Sequence, residues 1–162
     1  MYTASGGSAV SESSVKALFA KYKSASDIID GEGVEKFFSD IEVDMMDVVT
    51  LVIMHAMGAQ EPGKIEYSMF KKACSTFKVD SISKWKSIIS DLRNDLFSNK
   101  KLHRDVYDFA FLISLAPGIK VLEKDIAIHL WPLLLKDRCQ FLGVWIKFVE
   151  SLDRNIIKKD EW

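Results

Sequence analysis

Apolar residues recur along most of this chain at the three- and four-residue spacing of amphipathic helices, with polar turn residues between them. Val15, Leu18, Phe19 and Tyr22 form one such face, with Ser11 or Ser13 placed to cap the helix that carries it. After Asp30-Gly31-Glu32-Gly33, a short helix presents Val34, Phe37, Phe38 and Ile41. Residues 45–57, behind a capping Asp44, are apolar nearly all round, which predicts a helix lying deep in its domain. Gly58 and the Glu61-Pro62-Gly63 turn end it. A short extended segment at 64–67 leads into a helix through Met69, Phe70, Ala73 and Cys74 to Phe77. Asp80 or Ser81 caps the next, whose face is Ile82, Trp85, Ile88, Ile89 and Leu92. A polar break at 98–101 precedes Val106, Tyr107, Phe109, Ala110, Phe111 and Ile113, and Ala116-Pro117-Gly118 stops that helix. The last two full helices are expected at 123–135 and 141–152. The pattern predicts an all-α fold of about eight helices with almost no strand.

The stretch 125–162 is the richest in large aromatics, with Trp131, Phe141, Trp145, Phe148 and Trp162 set among Ile, Leu and Val. Phe141, Leu142, Trp145, Phe148, Val149 and Leu152 share one helical face, and such a face is expected to be buried core.

Composition changes this picture little. The chain has 162 residues, is 48% hydrophobic and carries a formal net charge of -1. At this size roughly 70% of the unfolded surface can be buried, enough for a core without disulfides or metal. The near-zero charge argues against a dedicated nucleic-acid binder, and Lys71/Lys72, Lys100/Lys101 and Lys158/Lys159 read as solvated helix faces. Cys74 and Cys139 lack Cys-x-x-Cys spacing, which fits free thiols in a reducing compartment, and the nucleus or cytoplasm is the expected location. No apolar run is long enough to span a bilayer, so no membrane partner is expected. Residues 1–11 are Ser- and Gly-rich and read as a disordered lead without the build of a secretory signal.

Candidate chemistry is sparse. Residues 26–37 invite a calcium-loop reading, since helix, Asp/Gly loop and helix form the layout of an EF-hand. With Gly31 at the sixth loop position, Ile28 and Phe37 fall where oxygen ligands are required, and shifting the frame to Gly33 leaves Ile28 and Ser39 at the ends. The layout is EF-hand-like without functional calcium loops, and no metal is expected. His55, His103 and His129 have no His-x-x-x-His partner; on apolar helices, His55 and His129 read as hydrogen-bonded core or boundary residues. No Gly-x-Gly-x-x-Gly or Walker loop points to a nucleotide cofactor, and no nucleophile–base pair points to catalysis.

The ordered set of local strings is more specific than any one of them. Val106-Tyr107-Asp108-Phe109-Ala110-Phe111, Ala116-Pro117-Gly118, Ala127-Ile128-His129-Leu130-Trp131, residues 141–148 and Ile157-Lys158-Lys159-Asp160-Glu161-Trp162 together resemble the defective-in-cullin-neddylation family. Leu18 to Lys23, Asp30 to Phe37 and Cys74 to Ser83 fit the family's first half, so the resemblance covers residues 12–162 as one potentiating-neddylation-like domain.

The resemblance implies an all-helical fold of EF-hand-like halves and a non-catalytic auxiliary ligase. Such a scaffold holds the neddylation conjugating enzyme on one face and a cullin's C-terminal region, with its RING protein, on another, and accelerates transfer by positioning. It also implies an apolar pocket for the acetylated N-terminus of the conjugating enzyme, lined by Val34, Thr50, Ile53, Met54, Met57, Ile65, Ile113, Leu130 and Leu133. Met57, Ile65, Ile113 and Leu130 stand where relatives are often aromatic, and Thr50 replaces an apolar residue, which implies a wider, more pliable pocket. Asp160 matches the first acidic position of the cullin-facing patch; the others would follow Trp162. Residues 157–162 read as a helix beginning, with Trp162 left without a partner, so a C-terminally shortened domain with weak cullin binding is expected. The alternative is a generic EF-hand-like interaction module with another helical ligand.

Overall fold

The computed structural model describes residues 9–136 and 138–162, and of the lead expected over residues 1–11, residues 1–8 lie outside them. The described residues form eight α-helices and four two-residue strands, in keeping with the all-α expectation. The chain divides into two compact units, Met1–Leu102 and His103–Trp162.

The first unit contains α1 (Glu12–Tyr22), β1 (Ile28–Ile29), α2 (Gly31–Asp40), α3 (Val48–Met57), β2 (Ile65–Glu66), α4 (Tyr67–Phe77) and α5 (Ile82–Ser98). The expected faces of α1 and α2 are buried at every position, including Phe37 and Phe38 with no exposed surface. The helix starts follow side-chain oxygens that satisfy otherwise unpaired amides: Ser11 accepts from Ser14 N, Asp30 from Gly33 N and Ser81 from Lys84 N. Asp80 fixes two helix starts together. Its carboxylate accepts from Ser11 N at 3.1 Å and meets Lys84 Nζ at 2.7 Å. The Lys84 ammonium first, and the Ser11 amide second, hold that carboxyl below the usual carboxylate range.

β1 and β2 pair antiparallel, Ile28 opposite Glu66 and Ile29 opposite Ile65, and so join the loop after α1 to the loop before α4. Gly33 permits a close approach there. A Cβ at that position would overlap the Tyr22 carbonyl oxygen and lie 2.8 Å from the Ile29 side chain. Ile28 is a strand residue and Phe37 is core, which accounts for two apolar residues in a loop laid out like a calcium site.

Two boundaries differ from the expected ones. The helix expected at 45–57 begins at Val48, because the Asp44 carboxylate accepts from Met46 N at 2.7 Å in a turn and Asp47 caps the helix through Val49 N at 2.9 Å. Met45 and Met46 are therefore exposed. The polar break at 98–101 shrinks to Asn99. Its side-chain oxygen accepts from Lys101 N and Leu102 N, starting α6 (Lys100–Ile113) one residue after α5 ends.

The second unit holds the rest of α6, then β3 (Leu122–Glu123), α7 (Lys124–Leu135), α8 (Leu142–Ser151) and β4 (Ile156–Ile157), with Leu122 opposite Ile157 in an antiparallel pair. Its core is Phe111, Leu122, Ala127, Trp131, Val149 and Ile157. Trp162 packs on that core rather than standing alone. It stacks with Tyr107 at 4.8 Å and Trp131 at 5.6 Å, and its Nε1–H donates to the Tyr107 carbonyl at 3.1 Å. The helix expected at 157–162 is one turn: Ile157 is strand, Trp162 N donates to Lys158 O, and Glu161 accepts from Lys158 N, half of a capping box.

The aromatic face of α8 departs most from expectation. Of the expected core positions Phe141, Leu142, Trp145, Phe148, Val149 and Leu152, only Val149 is buried. Phe141 is 66% exposed, Phe148 53% and Trp145 37%, with Val144 beside them at 68%. Periodicity identifies which side of a helix is apolar, not what lies against it.

Candidate partner-binding site

Six of the nine apolar positions implied by the resemblance lie in the first unit. Val34 is on α2, Ile65 on β2, and Thr50, Ile53, Met54 and Met57 occupy the i, i+3, i+4, i+7 face of α3; all six are buried. The helix that carries four of them is apolar on every side and buries eight of its ten residues. Thr50 does not bring a bare hydroxyl into this setting. Its Oγ1 donates to the Asp44 carbonyl at 3.0 Å, which satisfies the group within the turn before the helix. At the rim of the same turn, Asp47 forms an ion pair with Arg93, and Glu42 meets Lys86 Nζ at 2.7 Å.

The other three positions belong to the second unit. Ile113 closes α6 and is buried; Leu130 and Leu133 lie on α7 half-buried, Leu130 against the core around Trp131. Asp160 is exposed in the turn after β4.

The titratable groups are held by structural contacts. Burial pushes the Cys74 thiol up to about 12, with the Trp85 indole partly offsetting it, which keeps the sulfur protonated and a poor nucleophile. His103 is buried, stacks against Tyr107 at 6.4 Å, and donates from Nε2 to the Leu134 carbonyl at 2.7 Å. Burial holds its pKa below the ordinary value, the Leu134 carbonyl acts in the opposite sense, and the nearby Arg138 charge lowers it further. His129 is exposed and hydrogen-bonds the Asp125 carbonyl of its own helix. Tyr22 and Lys21 both donate to Asp40 at 2.6 Å, and burial followed by that carboxylate pushes the Tyr22 hydroxyl up to about 12. Among the described residues, no group of three or more His, Cys, Asp or Glu could hold a metal ion. No helix among them is long and apolar enough to cross a membrane.

Sequence reasoning missed the exposed set of Phe141, Val144, Trp145 and Phe148 as surface. Its spacing was legible, but a core stripe and a partner-facing stripe are written alike.

Residues 84–162 match the cullin-binding family model. DCN1-like protein 4 of Danio rerio is 30% identical over 147 residues, covering 89% of this chain and 51% of that protein. Defective in cullin neddylation protein 1 of Yarrowia lipolytica is 23% identical over 146 residues, covering 90% and 61%, and DCN1-like protein 5 of Rattus norvegicus 27% over 149 residues, with the same coverage. The chain thus spans between about half and three-fifths of the length of these relatives. Over its second half by the cullin-binding family model, and over nine-tenths of its length by these relatives, the chain is similar to the defective-in-cullin-neddylation proteins.

Proposed function

We propose that this protein is a non-catalytic, scaffold-type auxiliary factor in cullin neddylation. The match of residues 84–162 to the cullin-binding family model carries this reading. The relative from Yarrowia lipolytica is named for cullin neddylation itself. Acting as a scaffold, the chain would raise the rate of transfer by holding a conjugating enzyme and a cullin, with its RING protein, in reacting register, which needs no nucleophile of its own. The Cys74 thiol, buried and held protonated, suits that division of labour.

The conjugating enzyme would dock by its acetylated N-terminus on the six apolar positions of the first unit, Val34, Thr50, Ile53, Met54, Met57 and Ile65, as an anchored helix in a groove. Met54 and Met57 support this use. Both are buried, and unbranched thioether side chains repack around an incoming methionine at small cost. The cullin would meet the late acidic patch that begins at Asp160.

A reconstituted neddylation assay tests the whole reading. Adding the chain to conjugating enzyme, cullin and RING protein should raise the rate of modifier transfer, and an unchanged rate would refute it. Calorimetry tests the pocket: the acetylated N-terminal peptide should bind more tightly than the unacetylated one, and equal affinities would remove the assignment of these positions.

A further inference from the structure

On the open side of α8, Phe141, Val144, Trp145 and Phe148 stand at i, i+3, i+4 and i+7, which makes them one stripe two turns long. All four are exposed. Two of the rings are nevertheless fixed in place. Trp145 rests edge-on against Trp131 with ring centroids 5.6 Å apart, and Phe148 lies 5.8 Å from Trp145. Side chains ordered in advance lose less entropy when a second surface covers them. The charged residues of α8, Lys147 and Glu150, are exposed and fall outside the stripe, so covering it buries no charge.

The stripe reads the same in both directions. Turned end for end about its centre between Val144 and Trp145, the spacing i, i+3, i+4, i+7 maps onto itself. Two copies of α8 laid antiparallel therefore set Phe141 of each against Phe148 of the other. In the middle, Val144 meets Trp145 of the other copy, a small side chain beside a large one. Such a contact is isologous: the same patch serves both copies and the pairing closes on itself.

We propose that a second copy of this chain covers the open face of α8, in a two-fold homodimer built on the antiparallel pair of these helices. Area sets its strength. With roughly 150–250 Å² for a whole aromatic side chain, the open parts of the four residues amount to about 400 Å² per copy. Two copies with the rim of Gln140, Lys147, Ser151 and Leu152 reach about 1,000 Å², the lower bound for a specific interface. The dimer is accordingly weak and reversible, with a dissociation constant in the micromolar range.

Sedimentation equilibrium of the whole chain, from low to high micromolar concentration, tests the pairing. The weight-average mass should rise from the monomer value toward the dimer value. Val144→Glu and Val144→Lys change an exposed side chain close to the two-fold axis, so each should weaken association by about tenfold or more without moving the thermal midpoint. Mixed together, the two variants should pair again, because opposite charges then face each other across the axis. Met46→Lys, which removes an exposed apolar side chain of the first unit, should leave association as it was. The proposal is overturned if the mass stays at the monomer value, if Val144→Glu associates like the parent chain, or if the mixture stays monomeric. Loss of association in Met46→Lys would overturn it too, as would masses climbing past the dimer, since a two-fold contact leaves no open end.

Discussion

In the first unit Phe37 meets Tyr22, Phe38, Phe70 and Trp85, all edge-on with ring centroids 5.3 to 5.5 Å apart, and every one of those side chains is buried. The second unit is as rich in rings but splits them. Tyr107, Phe111, Trp131 and Trp162 pack together, while Trp145 touches Trp131 on one side and Phe148 on the other and leaves a large part of its surface open. The difference lies in what surrounds each helix. Rings from α1, α4 and α5 close on Phe37 of α2, whereas α8 has the Trp131 core on one side only. An aromatic residue therefore stabilises the fold in the first unit, and on the outer face of α8 it is available to a partner.

Paired substitutions test this contrast, beginning with tryptophan. Trp85→Ala should lower the unfolding free energy by about 3–5 kcal/mol, as for other large-to-small changes in a closed core. Trp145→Ala should cost only about 1 kcal/mol, the worth of its edge contact with Trp131. Chemical denaturation of the two variants measures both, and similar losses would show that the two units do not differ in closure.

Glycines give the next largest effect. Gly33→Ala drives a methyl into the Tyr22 carbonyl and the Ile29 side chain, and should destabilise by about 1–3 kcal/mol despite the gain in helix propensity. Gly143, within α8, has nothing within 4 Å of an added Cβ. Gly143→Ala should therefore stabilise by about 0.5–1 kcal/mol. Opposite signs in thermal melts support the comparison, and a destabilised Gly143→Ala would mean that α8 is more tightly packed than its exposure indicates.

The smaller effect is a pH dependence confined to the second unit. Burial sets the His103 pKa in the folded state below its ordinary value of 6.5, so the unfolded chain takes up a proton first as pH falls. Stability from this group is complete above that value and is lost as pH drops toward the folded pKa. His103→Gln should flatten the slope of the thermal midpoint across this window, and an unchanged slope would remove His103 as its source. In the first unit the Asp40 carboxyl is held below the usual carboxylate range by Lys21 and then Tyr22, so its contribution is lost only at lower pH.

Helix positions, caps and the all-α class were legible in the chain because they depend on local spacing and local hydrogen bonds. Ser11 and Ser81 cap where they were expected to, and the faces of α1 and α2 are buried throughout. Competition between neighbours was harder to read. Asp44 and Asp47 both suit a helix start, and the choice of Asp47 rests on Arg93 and Thr50, which come from another helix and from the next turn. Of the candidate site, the resemblance supplied the residues, and the α3 spacing puts four of them on one helical face.

By itself, then, the sequence determined which stretches are helical, which side of each is apolar and which family the ordered strings resemble. These are one-dimensional properties, set by side-chain type and by a period of 3.6 residues. Only the tertiary structure decided which apolar sides are covered: it buried Phe37 and Trp85, found neighbours for Trp162, and left Phe141, Val144 and Phe148 on the surface. The physical reason is that burial is a property of pairs of elements, and no single helix encodes its neighbour.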